Sequence, residues 1–303
     1  MTAVDARGIR VPVVRPEPER RRRRRSSLRL SPAQRVGAVV VWLVVAANLG
    51  ILLWLAMSSL KSTRAIFDDP WSLPTSLEWS NYTRAWSESR FGAAAVNTLL
   101  VVCAASLLIV LLAAPAAYAL ARAGHRASGG VTAALAVGMG IPFQVVVIPI
   151  FVLLQQVGLT NSFTGLIVVY VGTSLPFTVI LLTGFFRGLS SEMEEAAALD
   201  GAGAWRTFVS IMLPLVRSGL ITALMLNLIG LWNETFVALV LLQDSDKQTL
   251  SLALLGFMQR QQYNGADWGG LFAGVCILVL PTLLVYGWLS RRVIEGLTLG
   301  SGK

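Results

Sequence analysis

Six stretches of the chain, roughly residues 36–57, 93–120, 131–154, 165–186, 219–242 and 270–289, are each long and apolar enough to cross a bilayer. About 20 residues rising ~1.5 Å each span the hydrocarbon core. A segment in that environment must satisfy its own backbone hydrogen bonds, which favours helix. Glu234 is the one formally charged side chain in all six stretches. Composition agrees, with 55% hydrophobic and 14% charged residues against about a quarter charged in an average soluble domain. A soluble globular enzyme is nearly excluded. The expected class is an all-α integral membrane protein with six transmembrane helices, lying multi-pass in a membrane.

The formal charge of +9 would suggest nucleic acid if it were spread over a surface, but it is not. Residues 1–35 hold eleven Arg and three acids (Asp5, Glu17, Glu19), and the remaining chain is almost neutral. The Arg20–Arg25 run lies a dozen residues before the first span. Topological anchoring and attraction to anionic lipid explain it more simply than nucleic-acid binding or an address signal. Residues 1–35 lack the apolar side chains for a core, so a disordered basic cytoplasmic tail is expected. No small-residue cleavage site follows the first apolar run, as a signal peptide would require. With the N-terminus inside, the inner segments collect 19 Lys and Arg and the outer segments six. The positive-inside rule therefore predicts N-in and C-in.

Two cysteines, Cys103 and Cys276, both fall inside apolar runs and read as small core residues rather than a disulfide framework. Pro115, Pro142, Pro149, Pro176 and Pro281 fall within spans. Each removes a backbone donor and tends to kink its helix. The single His125 lies in a short turn between Arg122 and Arg126, and no group has metal-ligand spacing. The C-terminal Gly300-Ser301-Gly302-Lys303 lacks the first glycine of a phosphate loop, because position 297 is leucine, and no Ser or Thr follows the lysine.

Between spans four and five lies a loop of residues 187–218, inside by the charge count. Ser191-Glu192-Met193-Glu194 has the form of a capping box. Met193, Ala196 and Ala197 follow on one helical face. After Gly201 a second pattern places Trp205, Phe208, Val209 and Met212 on one face, ended by Pro214. A helix–turn–helix outside the membrane is expected, small-faced in its first half and bulky in its second. Such a hairpin either sits in a partner's groove or packs on its own bundle.

Glu195-Ala196-Ala197, three residues, Gly201, nine residues, then Ile211-x-Leu213-Pro214 resembles the EAA signature of ABC-importer permeases at every specified position. Further strings resemble the carbohydrate-import branch: Asn81-Tyr82, Asn97-Thr98, Ile141-Pro142, Ile148-Pro149, Gly158-Leu159-Thr160-Asn161-Ser162, Leu175-Pro176-Phe177, Trp232-Asn233 and Gly296-Leu297-Thr298. The pattern is nearest to permeases like the second subunit of the maltose importer, and the basic tail has no counterpart in it. The resemblance implies a type I ABC-importer permease bundle. By that reading residues 36–92 are the first helix and outer loop, 93–295 the permease core, and 296–303 a cytoplasmic tail.

It also implies partners: a second permease subunit in a heterodimer, an ABC ATPase dimer, and an extracytoplasmic solute-binding protein. ATP and Mg would belong to the ATPase, with no cofactor in this chain and no catalytic residue. The implied coupling residues are Glu194, Glu195, Ala196, Ala197, Asp200, Gly201, Ile211, Leu213 and Pro214. Glu195 would pair with a basic group of the ATPase, the alanines would allow close approach, and Gly201 would make the turn. The resemblance implies a sugar or related polyol as cargo, and spans without a basic group favour a neutral one.

Polar residues within spans are costly and face a cavity or a partner helix. Asn227, Trp232, Asn233 and Glu234 in span five, and Gln144 beside Pro142, are therefore candidates for a substrate pathway, with helix packing or gating as the other reading. Trp71, Trp79 and Trp86 in the outer loop fit either an interface belt or a landing surface for a binding protein. A stand-alone secondary transporter or channel is the alternative function. It would be expected to show intramembrane acids or histidines as relays, and only Glu234 is available.

Overall fold

The computed structural model describes residues 2–4, 10–12 and 32–300, apart from 89 and 265. The arginine run and residues 301–303, with the expectations attached to them, lie outside the described residues. Two compact units are distinguished, Met1–Gly50 and Ile51–Lys303. In the first, Thr2–Val4 and Arg10–Pro12 pair as antiparallel strands, with Ala3 opposite Val11. These six residues fall within the segment expected to be a disordered tail.

The rest is helical. Helix α1 runs Pro32–Ser58, and short helices α2 (Thr63–Asp68) and α3 (Ser80–Glu88) follow. The central helices are α4 (Phe91–Arg122), α5 (His125–Met139), α6 (Phe143–Gln156) and α7 (Phe163–Arg187). The hairpin comprises α8 (Glu192–Leu199), α9 (Ala204–Thr207), a π turn at Phe208–Met212 and α10 (Leu213–Leu215). Helices α11 (Arg217–Trp232), α12 (Phe236–Leu241), α13 (Leu250–Asn264) and α14 (Trp268–Gly300) complete the chain.

Among the described residues four helices are continuous and apolar enough to cross a membrane, which accounts for the expected first, second, fourth and sixth spans. The expected third and fifth are broken. Span three divides into α5 and α6, bent by 92°. Pro142 lacks an N–H and disfavours helical backbone at Ile141, so the helix ends at Gly140 and restarts at Phe143. Pro115, Pro149, Pro176 and Pro281 lie inside continuous helices. Span five ends at Trp232 and resumes as α12 after Asn233-Glu234-Thr235. There the side chains compete for the backbone: Asn233 Nδ2 donates to Ile229 O (2.9 Å), and the Glu234 carboxylate accepts from Val237 N (2.8 Å) and Ala238 N (3.3 Å).

Helix α4 is the mast of the second unit. At ~1.5 Å per residue its 32 residues reach about 48 Å, and three cores follow one another along it. Phe91 and Ala94 join a cluster with Ala85, Leu250, Phe257 and Ala273. Val101, Val102, Ala105 and Ile109 pack with Leu166, Tyr170, Ala238 and Leu241. Ala113, Ala114 and Ala117 pack with Leu182, Phe186, Phe208 and Met212. The alanines let α7 approach closely, the usual packing device where water supplies no driving force between helices. Gly219 does the same for α11, since a Cβ there would meet the Phe185 ring at 2.5 Å.

Candidate coupling and pathway sites

The hairpin is built on a tight turn. At the end of α8, Gly201 takes φ +74°, while Gly201 N donates to Ala198 O (3.0 Å) and Ala202 N to Ala197 O (2.9 Å). These are the two bonds of a Schellman motif, with glycine at the left-handed position where a β-carbon costs roughly 1–2 kcal/mol. At its other end, α8 departs from the expected capping box. Ser191 is helical in backbone (φ −65°, ψ −22°) and its side chain makes no cap bond; Ser190 Oγ instead accepts from Glu192 N at 3.2 Å. Glu194 is drawn away because Arg122, in the last turn of α4, donates from Nε to its Oε1 at 2.7 Å. A charged donor outcompetes a neutral backbone N–H. The same guanidinium reaches Leu189 O at 3.4 Å, so Arg122 ties the hairpin's entry to α4.

The two expected faces are redistributed. Ala197 is 5% exposed and turned to the bundle, whereas Glu195 and Ala196 are exposed, with Met193 half-exposed and Leu199 90% exposed. In the second half, Phe208 and Met212 are buried against Tyr118 and Phe186, while Trp205 (72% exposed) and Val209 point out. The expected single face is split because the π turn rotates residues away from α-helical spacing. Ile211 and Leu213 are half-buried against the same core, and Asp200 and Pro214 are exposed. Of the coupling residues inferred from the sequence, then, Glu195, Ala196, Asp200 and Gly201 form an outward tip with Leu199 and Trp205. Glu194, Ala197, Ile211 and Leu213 hold that tip to the helices behind it. Leu199 was missed by sequence reasoning; only its place two residues before the glycine, in the last turn of α8, could have flagged it.

The pathway candidates are more dispersed. Asn227 is buried, its Nδ2 shared between Thr178 Oγ1 (3.0 Å) and Ala223 O (2.8 Å). Trp232 donates its indole N–H to Leu278 O at 3.0 Å, and its ring lines an apolar cavity of about 250 Å³ with Val102, Cys103, Ile229 and Pro281. Glu234 is half-buried: besides capping α12, it accepts from Tyr170 Oη at 2.7 Å, and its carbonyl accepts from Ser251 Oγ at 2.6 Å. Asn233 and Gln144 are exposed. Asn227, Trp232 and Glu234 thus spend polar atoms joining helices, the packing alternative, and Asn233 and Gln144 do not sit in one enclosed site with them. Among the described residues no group of His, Cys, Asp and Glu could hold a metal ion.

A bundle with broken third and fifth spans, carrying a Gly-turned hairpin between the fourth and fifth, defines a multi-pass membrane permease. The profile described as binding-protein-dependent transport system inner membrane component matches residues 109–295. The chain is 36% identical to the diacetylchitobiose uptake system permease protein NgcG of Streptomyces coelicolor, over 87% of this chain and 86% of that one. It is 32% identical to the trehalose transport system permease protein SugB of Mycobacterium tuberculosis, over 88% and 96% respectively. In fold it is similar to a chain from the crystal structure of a bacterial ABC transporter involved in the import of the acidic polysaccharide alginate, with a TM-score of 0.72 at 22% identity, covering 86% of this chain and 98% of that one. The chain belongs to the family of binding-protein-dependent transport system inner membrane components, within the carbohydrate-import branch of the ABC transporter permeases.

Proposed function

We propose that this chain forms, with a second permease subunit, the transmembrane pathway of an ATP-driven importer for a neutral sugar or polyol, and that residues 187–218 couple it to an ABC ATPase dimer. The observation that carries the reading is the hairpin tip, where Glu195, Ala196, Leu199 and Trp205 are exposed on a rigid Schellman turn. An exposed apolar face flanked by a carboxylate is costly in water and fits a groove with a basic rim. ATP and Mg belong to the ATPase. When its two halves close, the tip moves as one piece, because the Arg122–Glu194 pair and the buried Phe208 and Met212 fix it to α4 and α7.

The bends at Gly140–Pro142 (92°) and at Val216, between α10 and α11 (74°), are the natural places for the attached helices to pivot. In this reading the chain lies in the bacterial inner membrane with both ends inside, and a solute-binding protein delivers cargo at the opposite face. A neighbour in fold was solved in complex with an alginate pentasaccharide-bound periplasmic protein, at 16% identity and a TM-score of 0.57. A neutral cargo is supported by spans without a basic side chain and by relatives named for diacetylchitobiose and trehalose.

Gly201→Val and Glu195→Lys test the coupling assignment: each is expected to abolish transport while membrane insertion is unchanged. Survival of transport-coupled ATPase activity in both variants would refute it. A mild-detergent pull-down with mass spectrometry tests the assembly, and is expected to recover an ATPase and a second permease.

A further inference from the structure

One end of the helix bundle holds a cavity that lies apart from the pathway candidates and shares Arg122 with the base of the coupling hairpin. It measures about 720 Å³ and lies between the last turn of α4, the first turns of α5 and the end of α7. Two guanidinium-bearing residues, Arg122 and Arg187, line it, together with Ser128 and Thr132 and a floor of small residues such as Gly129 and Ala133. Arg122 meets one carboxylate, Glu194, and Arg187 forms no salt bridge among the described residues. The wall therefore carries an excess of positive charge. A second cavity, about 430 Å³, shares Ala123 with the first and is apolar, walled by Leu120, Val131, Leu135, Leu175 and Val179.

We infer that the paired cavities hold one anionic phospholipid, its phosphate beside Arg122 and Arg187 and an acyl chain in the apolar chamber. Three features select this occupant. Both arginines stand in the terminal turns of spanning helices, at headgroup depth, where the leaflet at the arginine-rich end is anionic. Guanidinium is the side chain best matched to phosphate oxygens. A soluble phosphate would make no use of the apolar chamber, whereas a lipid fills both. A zwitterionic lipid brings its own ammonium and gains less from the excess charge. The site adjoins the coupling hairpin through Arg122, so the phosphate would share that guanidinium with Glu194.

The test uses the full transporter complex in nanodiscs of mixed phosphatidylcholine and phosphatidylglycerol, with native mass spectrometry of the lipid kept after detergent exchange. Phosphatidylglycerol should be retained in preference to phosphatidylcholine, and glycerol phosphate added in solution should not displace it. Arg187→Gln should lower retention about fivefold, the weight of one arginine near an anionic surface. Ala133→Trp, which fills the cavity from its floor and leaves both charges, should lower it as well. Equal retention of the two lipids, or retention unchanged by both variants, would overturn the inference. Displacement by glycerol phosphate would make this a soluble-phosphate site, and crosslinking from Ala133→Cys to the ATPase or second permease would make it a protein interface; either result also overturns it. Should Arg187→Gln fail to assemble, the lipid comparison and the Ala133→Trp variant still decide.

Discussion

At the Phe91 end of α4, the loops between residues 59 and 90 and around Asp267 satisfy their polar groups from within the chain. Lys61 is 2% exposed, and its ammonium donates to Asp69 O (3.0 Å) and Ser72 Oγ (3.2 Å). Buried Asn81 donates to Ser59 O and Lys61 O and accepts from Arg84, whose guanidinium also forks onto Asp267 at 3.0 and 3.3 Å. At the Arg122 end, by contrast, one ion pair braces a hairpin whose apolar tip is left in the open. The polar groups of the first region are finished as folded, although Trp71 and Trp79 stay exposed there. The hairpin instead leaves Leu199 and Trp205 in the open behind a single ion pair, and in the proposed assembly the ATPase covers them.

The sharpest way to break the finished end is to wedge it. A Cβ at position 269 would stand 2.6 Å from both Asn81 Nδ2 and Lys61 O, and the latter is backbone that cannot swing aside. Gly269→Val is expected to cost about 3 kcal/mol, read as a lower thermal midpoint of the purified complex. Asp267→Ala should cost less, about 2 kcal/mol, because Arg84 is 42% exposed and can rehydrate once its partner is gone. The open end should respond oppositely. Leu199→Ser and Trp205→Ser remove side chains that touch mostly solvent, so stability should change by no more than about 0.5 kcal/mol while transport falls steeply. If those two variants cost as much stability as Asp267→Ala, the tip is packed on its own bundle and the contrast is lost.

Much of this was legible from local sequence. The second, fourth and sixth spans are single apolar runs, and Gly201 marked the turn because a left-handed residue at a helix end has few alternatives. The break in span three was half legible: Pro142 was visible, but among five prolines nothing local distinguished it from Pro115, which α4 absorbs. The break in span five was hidden because Asn233 and Glu234 read as pathway groups, and their capture of nearby backbone appears only in three dimensions. Ser190 rather than Ser191 accepts from Glu192 N, and Arg122, distant in sequence, holds the Glu194 carboxylate that a capping box would use. The Arg84–Asp267 fork joins residues 183 positions apart, and no periodicity encodes such a pair.

The smallest expected effect follows from that fork and is read by pH. Burial pushes the Asp267 carboxyl upward, but hydrogen bonds from Arg84, the Gly270 N–H and Thr63, with the charge of Arg84, outweigh it and hold the group below the usual aspartate value. A carboxyl depressed by folding stabilises the folded state fully above the unfolded value of ~3.9 and loses that contribution as pH falls through the folded value. Between neutral pH and about 5 the thermal midpoint should therefore not respond to this group. Below about 4 it should fall, and Asp267→Asn should remove that part of the acid dependence because no proton is left to bind. An acid slope identical in wild type and Asp267→Asn would show that the fork is not what acid disrupts at the finished end.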